Sequence, residues 1–578
     1  MCSEDSSYNE KFWHTTAHVF ANALIELYPK AKLAIGPPIE NGFYYDFELE
    51  ENLDAEKLAK IEERMREILK RKEKMVWGEM KIEEALEFFK DNPYKVELIN
   101  DLARSGETKI STYTNGKFID MCRGPHLEST EEIGAVKLLK VSGAYWRGNE
   151  KNKMLQRVYG ISFKTQKELD EWVERRKKAE ENSHVKLGKE LDLYLLSDVV
   201  GKGLPLFTPR GAMLMQTLQR FIEDEETKRG YVRTRTPMMS KADLYKISGH
   251  YEHYKDGMFQ LDVEGQEYFL RPMTCPHQYM IYKSRQYSYR DLPVRMAEVA
   301  TLFRKEKSGE LHGIVRVWQF TLNDAHIICT PEQLDGEINA TLDLIQYCMK
   351  RLGIKHYWYR FSKWDPNNKA KYVDNPQMWE KSQAILKEIL DKSKIDYVEA
   401  DNEAAFYGPK IDIQAENVYG KEDTLFTVQL DFSAADKFEM TYISKDGRKE
   451  RPVVIHRAAV GCLERTIAFI LEQTAGNIPF WLSPEQVRII PVSEKFSFDA
   501  NELKKKLVLE GMRVEVDDKD QTLGSKIRNA QLMKIPIMII FGEKEKTTNE
   551  YQIRERNGKQ YKINYLDLVA LLKKMNEE

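Results

Sequence analysis

Several features that define other protein classes are scarce in this chain. Six cysteines in 578 residues are too few for a disulfide framework and fit a reducing compartment. No stretch approaches the roughly 18 apolar residues that a membrane span needs, and the acidic start, residues 1–5, lacks a signal-peptide core. A net charge of −3 excludes a uniformly basic nucleic-acid binder. We therefore expect a cytoplasmic protein in which any nucleic-acid contacts use local basic patches.

The organisation of the chain is that of several domains without repeats or low-complexity segments. A charge-dense stretch, 167–189, predicts a solvated connector helix after a boundary near Ser162. After a segment rich in proline and aromatic residues, 479–484, strands alternate with amphipathic helices, which predicts a small α/β domain with a mostly parallel sheet. The predicted domains are 1–162, a connector at 163–191, 192–484 and 485–578.

Cys275, His326 and His456 are the first candidates for a functional site, although they are far apart in the chain. One cysteine and two histidines leave a zinc ion one coordination position short, which is the open arrangement that catalytic or substrate-binding zinc needs. Each ligand lies in a segment that also reads as part of a nucleotide-phosphate site. These segments are 271–276, 320–326 and 453–458.

Arginines close to these segments predict an anion site. A strand that leads to Arg304, a turn at 308–310 and a β-like run at 313–320 form a strand–turn–strand pattern. That pattern would place Arg304 and Arg316 on one sheet floor, facing one polyanion.

A further arginine, Arg465, precedes the apolar run 466–471, which predicts a buried helix with an arginine on its first turn. Such an arginine needs a phosphate or a carboxylate as its partner.

Upstream of these segments, apolar residues at 213–221 have helical spacing, and they are followed by a predicted strand at 230–237 that ends in proline.

A second constellation lies near the start of the chain. His14 and His18 are four residues apart and share one helix face, while a Gly-Pro pair predicts a loop that turns Cys122 and His126 inward. From their chemistry these residues indicate either a four-ligand zinc site or a polar hydrolytic pocket.

Together these segments resemble the signature motifs of class II aminoacyl-tRNA synthetases, in their order along the chain. Within that class the resemblance is to the threonyl-tRNA synthetase family, and it runs almost end to end. The segments that carry it are Asp-Leu-Pro-Val-Arg-Met-Ala-Glu (291–298), Ser-Gly-Glu-Leu-His-Gly (308–313), Phe-Tyr-Gly-Pro-Lys-Ile-Asp (406–412), Thr-Val-Gln-Leu-Asp-Phe (427–432) and His-Arg-Ala (456–458).

The resemblance implies an α+β and α/β multidomain fold with an α+β editing domain, a catalytic core on an antiparallel sheet, and a C-terminal α/β anticodon-binding domain. It implies ATP-dependent activation of L-threonine, transfer to the 3′ end of threonine tRNA and hydrolysis of mischarged seryl-tRNA. One zinc ion per subunit, Mg²⁺ with ATP and a homodimer are also implied. We expect a form that lacks the small β-rich N-terminal domain of many relatives.

The predicted zinc site and the predicted hydrolytic site would reject two different amino acids that compete with threonine, valine and serine. A zinc ion that takes the amino group and the hydroxyl rejects valine, which has no hydroxyl. Serine lacks only a methyl group, worth about 1–3 kcal/mol, so a second, hydrolytic site is expected. In the family, residues like His14, His18, Cys122 and His126 position a water without needing a metal, and Asp120 joins them in the editing pocket.

The resemblance assigns further roles residue by residue. The implied catalytic residues are Arg304, Arg465, Lys410 and Asp324. The implied ATP-binding residues are Arg304, Glu306, Arg316, Phe320, Gln429 and Arg465. The implied substrate-binding residues are Asp324, Tyr407, Met273 and Cys462. The implied anticodon-binding residues are Arg528, Glu545 and Arg554.

The chain departs from the usual family pattern at seven clustered positions, which we expect near the active site, and there Leu322 and Trp318 remove a hydrogen bond and a charge. A separate departure is Asp520, which replaces an expected asparagine in the anticodon-binding domain. The alternative function is therefore a synthetase-like RNA-binding or regulatory protein with reduced adenylation. The active-site departures are Thr274, His277, Gln278, Trp318, Leu322, Thr424 and Cys462.

Overall fold

The computed structural model describes residues 2–39 and 41–577, with side chains from residue 8 onward, so the acidic start lies outside the described side chains. Two compact units, 1–177 and 178–578, divide the chain within the predicted connector. Among the described residues, no helix combines the length and the apolar character that crossing a membrane requires.

The first unit combines helices with two antiparallel sheets. Its helices are α1 (Cys2–Leu27), α2 (Ala55–Lys70), α3 (Ile82–Phe88) and α4 (Pro93–Arg104). Its strands are β1 (Lys32–Leu33), β2 (Pro38–Ile39), β3 (Gly42–Glu48), β4 (Met75–Lys81), β5 (Lys109–Asn115), β6 (Phe118–Met121), β7 (Ala135–Tyr145) and β8 (Met154–Phe163).

Helix α1 packs on the larger sheet of this unit, in which the strands run β1-β3-β8-β7 and β2 pairs with β3. Alternate residues of β3, Phe43, Tyr45 and Phe47, are buried and meet Phe20 of α1 at ring distances of 6.3, 5.8 and 5.9 Å. The smaller sheet has the strand order β4-β5-β6, and its last strand, β6, ends one residue before Cys122. The loop after β6 lies against α1, where the Leu127 N–H donates to the Thr15 hydroxyl at 3.0 Å.

The connector is two helices rather than the single predicted one: α5 (Gln166–Glu181) and α6 (His184–Glu190). The break has a local cause, because the Ser183 side chain accepts a hydrogen bond from the Lys186 N–H and so starts a new helix.

The second unit holds the catalytic core predicted from the sequence. Its core helices are α7 (Pro209–Lys228), α8 (Ala242–Ser248), α9 (His250–Tyr254), α10 (Cys275–Lys283), α11 (Leu334–Leu352), α12 (Pro376–Ser393), α13 (Ala434–Lys437) and α14 (Leu463–Gln473). Its core strands are β9 (Tyr194–Leu195), β10 (Leu206–Phe207), β11 (Val232–Arg233), β12 (Met239–Lys241), β13 (Gln260–Val263), β14 (Gln266–Leu270), β15 (Tyr287–Ser288), β16 (Val294–Phe303), β17 (Gln319–Cys329), β18 (Tyr357–Ser362), β19 (Tyr397–Ala400), β20 (Lys410–Glu416), β21 (Glu422–Asp431), β22 (Tyr442–Ile443), β23 (Lys449–Glu450) and β24 (Val453–Ala458).

An eight-stranded sheet with the order β11-β16-β17-β24-β21-β20-β18-β19 forms the centre of this core. Its strands pair antiparallel except at the two edges, where β11 joins β16 and β19 joins β18 in parallel. Helices α11 and α14 cover one side through apolar residues such as Ile345 and Ile467, while α10 and α13 pack against Ile328 and Val454 on the other, so the central strands are almost continuously buried. The predicted class II core on an antiparallel sheet is confirmed.

Two predicted strands of the core are shorter than expected. The run 313–320 is mostly a turn, because His312 and Arg316 exchange backbone hydrogen bonds of 3.0 and 3.2 Å and Gly313 has a φ of +49°. Strand β17 begins only at Gln319, so Arg316 lies in a loop and not on the sheet floor. The segment 230–237 contributes only β11 to the sheet.

The last part of the chain is the expected α/β domain, with one correction. Strands β26, β25 and β27 are parallel, but β28 and β29 extend the sheet antiparallel, so the sheet is mixed rather than mostly parallel. Its elements are β25 (Val487–Pro491), α15 (Ser497–Leu509), β26 (Val514–Val516), α16 (Leu523–Leu532), β27 (Ile537–Phe541), α17 (Glu543–Thr548), β28 (Glu550–Glu555), β29 (Gln560–Asn564) and α18 (Tyr565–Glu577).

Candidate active site and hydrolytic site

The three predicted metal ligands of the core lie together. Cys275 begins α10, while His326 of β17 and His456 of β24 are directly opposite each other in the sheet. All three side chains are buried, and their ligand atoms lie within 4.8 Å of one another. The fold thus joins ligands that are separated by up to 181 positions in sequence, from residue 275 to residue 456.

Hydrogen bonds indicate which ring nitrogen of each histidine is available to bind a metal ion. Nδ1 of His326 lies 2.5 Å from the amide oxygen of Gln278, and Nε2 of His456 lies 3.1 Å from a carboxylate oxygen of Asp431. The carboxylate oxygen only accepts, and the Gln278 oxygen accepts in this orientation of its amide, so this arrangement places the protons on those two nitrogens. The remaining nitrogens, His326 Nε2 and His456 Nδ1, face each other at 2.9 Å with their lone pairs.

This donor set fits a divalent metal ion. Two imidazole lone pairs at such a distance repel each other, and a cation between them removes that repulsion. Burial raises the pKa of the Cys275 thiol well above its ordinary value, so the thiolate needs a positive partner in the same site. Asp431, which the sequence analysis did not single out, is the outer partner of His456.

A cavity of about 630 Å³ extends from the metal ligands along the sheet. It gathers every residue of the core to which the resemblance assigned a catalytic, ATP-binding or substrate-binding role. The residues concerned are Met273, Arg304, Glu306, Arg316, Phe320, Asp324, Tyr407, Lys410, Gln429, Cys462 and Arg465.

One end of this cavity is rich in cationic side chains. Arg304 directly follows β16, and its guanidinium lies 5.1 Å from the centre of the Phe320 ring. Arg465 is the third residue of α14, as the sequence predicts. Arg316 is held in its loop by Glu306 and Glu310 at 3.0 and 3.1 Å. A polyanion in this part of the cavity therefore meets fixed positive charge.

The other end, beside the metal ligands, is built for a small polar molecule. Burial raises the pKa of Asp324, whose carboxylate accepts a hydrogen bond from the Thr274 hydroxyl. The Tyr407 hydroxyl donates to Gln429, and its ring stacks on His456 with 4.8 Å between centroids. A carboxylate, a phenol and a metal site thus face one small volume.

The residues that depart from the family pattern lie at different positions relative to the cavity. Leu322, Thr424 and Cys462 line the cavity. Thr274 and Gln278 lie outside its walls but contact Asp324 and His326, as described above. Trp318 donates from its indole N–H to the Glu306 carbonyl at 2.9 Å, and His277 is buried beside the site, where burial lowers its pKa to about 4.

In the first unit, the predicted editing residues form a second cluster. His14 and His18 lie on α1, and Cys122 and His126 lie on the loop after β6, with all four ligand atoms within 4.8 Å of one another. The Cys122 sulfur is 3.2 Å from Nε2 of both His14 and His126. His14 donates its other ring N–H to the Pro125 carbonyl at 3.1 Å, so its Nε2 presents a lone pair to the sulfur.

The groups of this cluster are uncharged near neutral pH. Burial lowers the pKa of His14, His18 and His126, and burial raises the pKa of Cys122 to about 11. Neutral imidazoles are able both to bind a metal and to take a proton from water. Both the zinc-site and the hydrolytic interpretation therefore stay open on the geometry.

Asp120 lies at the edge of the same cluster, in a buried polar network. Its carboxylate accepts from Lys95 at 2.6 Å and from the Tyr45 hydroxyl at 2.7 Å. The sequence analysis missed Lys95 and Tyr45, because they lie on α4 and β3, far from the two short motifs. A lysine without a local motif gives no sequence signal of this kind.

The three residues predicted to bind the anticodon lie on separate elements of the C-terminal domain. Arg528 is exposed on α16, Glu545 is on α17, where its carboxylate accepts from the Gly542 N–H at 2.9 Å, and Arg554 is on β28. Asp520 is exposed in the loop before α16. Contact of these residues with an anticodon stays a prediction.

Comparison with known proteins agrees with this arrangement. Residues 258–474 match the family model of the tRNA synthetase class II core domain (G, H, P, S and T), residues 486–575 match an anticodon binding domain, and residues 110–159 match the threonyl and alanyl tRNA synthetase second additional domain. The fold and the cavity therefore define a class II aminoacyl-tRNA synthetase.

Individual relatives narrow the family. A threonine–tRNA ligase of Clostridium perfringens is 53% identical over 98% of this chain and 89% of its own, and one of Geobacillus kaustophilus is 46% identical over 97% and 86%. A crystal structure described as the RNA binding domain of threonyl-tRNA synthetase from Cryptosporidium parvum is 36% identical, with a TM-score of 0.65 over 68% of this chain and 98% of that one. The chain belongs to the threonine–tRNA ligase family.

Proposed function

We propose that this chain activates L-threonine with ATP and transfers it to the 3′ end of threonine tRNA. The observation that carries the proposal is the single cavity that joins Cys275, His326 and His456 to the arginines Arg304 and Arg465. A threonine next to the ligands and an ATP along the arginines would meet with their reacting groups side by side. Family membership supports the same reaction.

In the first step the threonine carboxylate attacks the α-phosphorus of ATP, and pyrophosphate leaves. Charge that develops on the phosphates needs fixed cations. We assign Arg304 to the α-phosphate and Arg465 to the γ-phosphate, with Mg²⁺ bound to the nucleotide. Glu306 contacts the adenine, and Phe320 provides its stacking surface. In the second step a hydroxyl at the 3′ end of the tRNA attacks the threonyl carbonyl, an ester forms, and AMP leaves with the proton of that hydroxyl transferred to solvent or base.

We assign Zn²⁺ to Cys275, His326 and His456, because one thiolate and two imidazoles suit this ion. An ion held by these residues would supply a Lewis acid for the amino and hydroxyl groups of threonine, and valine, which has no hydroxyl, would be rejected. The protein residues complete the recognition: Asp324 orients the amino group and Tyr407 stands beside the side chain.

We further propose that the first unit hydrolyses seryl-tRNA. Neutral His14 and His126 are suited to hold a water against the ester, and the buried Lys95–Asp120 ion pair, 2.6 Å long, lies beside the cluster. The partners we propose are threonine tRNA, ATP, L-threonine and a second copy of the chain, and we assign the reaction to the cytoplasm.

The test is ATP–pyrophosphate exchange by the purified full chain with threonine, serine and valine, with zinc quantified in the same sample. Strong exchange with threonine, weaker exchange with serine and none with valine, with about one zinc per chain, is the expected result. Bound zinc without exchange for any amino acid would instead favour the alternative, a synthetase-like RNA-binding or regulatory protein.

A further inference from the structure

Gln278 makes a contact that no role yet accounts for. It lies on the first turn of α10, three positions after Cys275, and is fully buried, at 0% exposure. Its side-chain oxygen is the partner of His326 Nδ1 at 2.5 Å. Since an amide oxygen only accepts, this contact puts the proton on Nδ1 and leaves Nε2 free. The orientation of one amide thus decides which nitrogen His326 offers to a metal.

A hydrogen-bond chain fixes that orientation. The Gln278 amide nitrogen donates to the Thr234 hydroxyl at 2.7 Å, and this hydroxyl donates in turn to Glu298 at 3.4 Å. Glu298 is buried and paired with buried Arg271 at 2.9 Å, so it is an ionised carboxylate that only accepts. The Thr234 hydroxyl thus has an acceptor in Glu298 through a long contact, and its oxygen accepts from the Gln278 amide through the shorter one.

The reversed amide would not suit a bound metal ion. Its oxygen would accept from the Thr234 hydroxyl, which would then no longer donate to Glu298. Its NH₂ group would face His326 Nδ1, which would then have to accept and move the ring proton to Nε2. That proton would occupy the position from which the ring binds a metal.

We propose that Gln278 is a positioning residue for the metal site: oriented by Thr234 and the Arg271–Glu298 pair, it holds His326 in the tautomer that presents Nε2. The inference rests on the metal site of the proposed function and adds the residue that prepares one of its ligands. The other histidine is prepared differently, because its partner Asp431 is an acid. Outer contacts of this kind typically change metal affinity by 10- to 100-fold.

The test is zinc affinity of the full-length protein, measured after metal removal by titration against a chelating indicator of known affinity. We expect Gln278→Leu to weaken zinc binding 10- to 100-fold, because the acceptor for Nδ1–H is lost. Gln278→Glu keeps an acceptor and should bind within about threefold of the parent or more tightly. Gln286→Leu, on an exposed glutamine, is the matched control and should leave affinity unchanged.

Thr234→Val supplies a second route, since it removes the anchor of the amide without changing Gln278, and it should weaken binding by less than Gln278→Leu. It decides the question if Gln278→Leu does not fold. Zinc affinities of both variants equal to the parent would overturn the inference. A purely structural role would lower the unfolding temperature of the metal-free variants without changing zinc affinity, which also contradicts it. A parent protein that binds no zinc would instead remove the metal assignment itself.

Discussion

His326 Nε2 lies 2.9 Å from His456 Nδ1, across a directly opposed pair of β17 and β24, and both nitrogens carry lone pairs. Both rings are buried, and the contacts of their other nitrogens with Gln278 and Asp431 hold them in this position. A bound cation turns an unfavourable contact into two ligand bonds, and its binding energy adds to the stability of the folded protein.

The first prediction concerns metal removal. Chelation should lower the unfolding temperature of the second unit and abolish threonine-dependent pyrophosphate exchange, because the site loses its cation. Cys275→Ser should lower zinc content and exchange together, and its unfolding temperature should no longer respond to chelator. Calorimetry and metal analysis of the same samples check this.

Cys348→Ser is the matched control for that experiment, because Cys348 is a buried cysteine of α11 outside the site. It should keep zinc and exchange. Full zinc and full exchange in Cys275→Ser would show that the metal assignment is wrong.

The sequence predicted the ligands of the core better than their surroundings. Cysteine and histidine carry their chemistry in their identity, so Cys275, His326 and His456 could be proposed without knowing the fold. Asp431 and Gln278 could not, because an acid or an amide becomes an outer partner only through strand register and helix position. Family motifs located the segments, and the fold supplied the contacts.

Secondary structure was predicted correctly where apolar residues recur at a regular spacing. It was predicted wrongly where a single backbone contact determines the local conformation. Helix α14 follows its apolar run closely. The run 313–320 has β-like composition, yet a two-way backbone contact between His312 and Arg316 closes a turn there. The alternation of strands and helices after residue 487 also gave no sign that β28 and β29 would pair antiparallel.

A second prediction separates the two sites. His14→Ala should leave threonine activation unchanged and allow seryl-tRNA to accumulate, because the ring that faces Cys122 at 3.2 Å is lost from the first unit only. Deacylation of preformed seryl-tRNA should fall by about 10²- to 10⁴-fold, the usual contribution of one positioned acid–base group. His356→Ala, on an exposed histidine, is the control. Undiminished clearance of seryl-tRNA by His14→Ala would contradict the editing assignment.

A third prediction tests the anion end of the cavity. Arg304→Lys keeps the charge but loses the planar fork that binds two phosphate oxygens at once. Pyrophosphate exchange should fall by roughly 10²- to 10³-fold in kcat, with a smaller change in the KM for threonine. Arg290→Lys changes an exposed arginine that contacts Tyr289 and should have no effect. An equal loss in both variants would mean that Arg304 does not act on the nucleotide.

The last prediction is a pH dependence of stability in the first unit. His18 is 3% exposed, and burial lowers its pKa well below 6.5, with smaller electrostatic contributions from His14 and Lys95 in the same direction. Below pH 6.5 the unfolded chain therefore binds a proton that the folded chain does not, so stability present above this pH is lost as the pH falls. For each buried histidine, the free energy of unfolding should fall by about 1 kcal/mol between pH 6.5 and pH 5.5. Urea unfolding with chelator present measures this loss.

His18→Gln removes one group that takes up a proton only in the unfolded chain. The loss of stability between pH 7.5 and 5.5 should therefore be smaller in this variant than in the parent, whatever its stability at pH 7.5. His356→Gln, on an exposed histidine of the second unit, should follow the parent. The slope matters here and not the absolute stability, because replacing a buried ring also changes packing. A parent whose first unit is as stable at pH 5.5 as at pH 7.5 would mean that the folded protein takes up protons on these histidines as readily as the unfolded chain, and burial would then not lower their pKa.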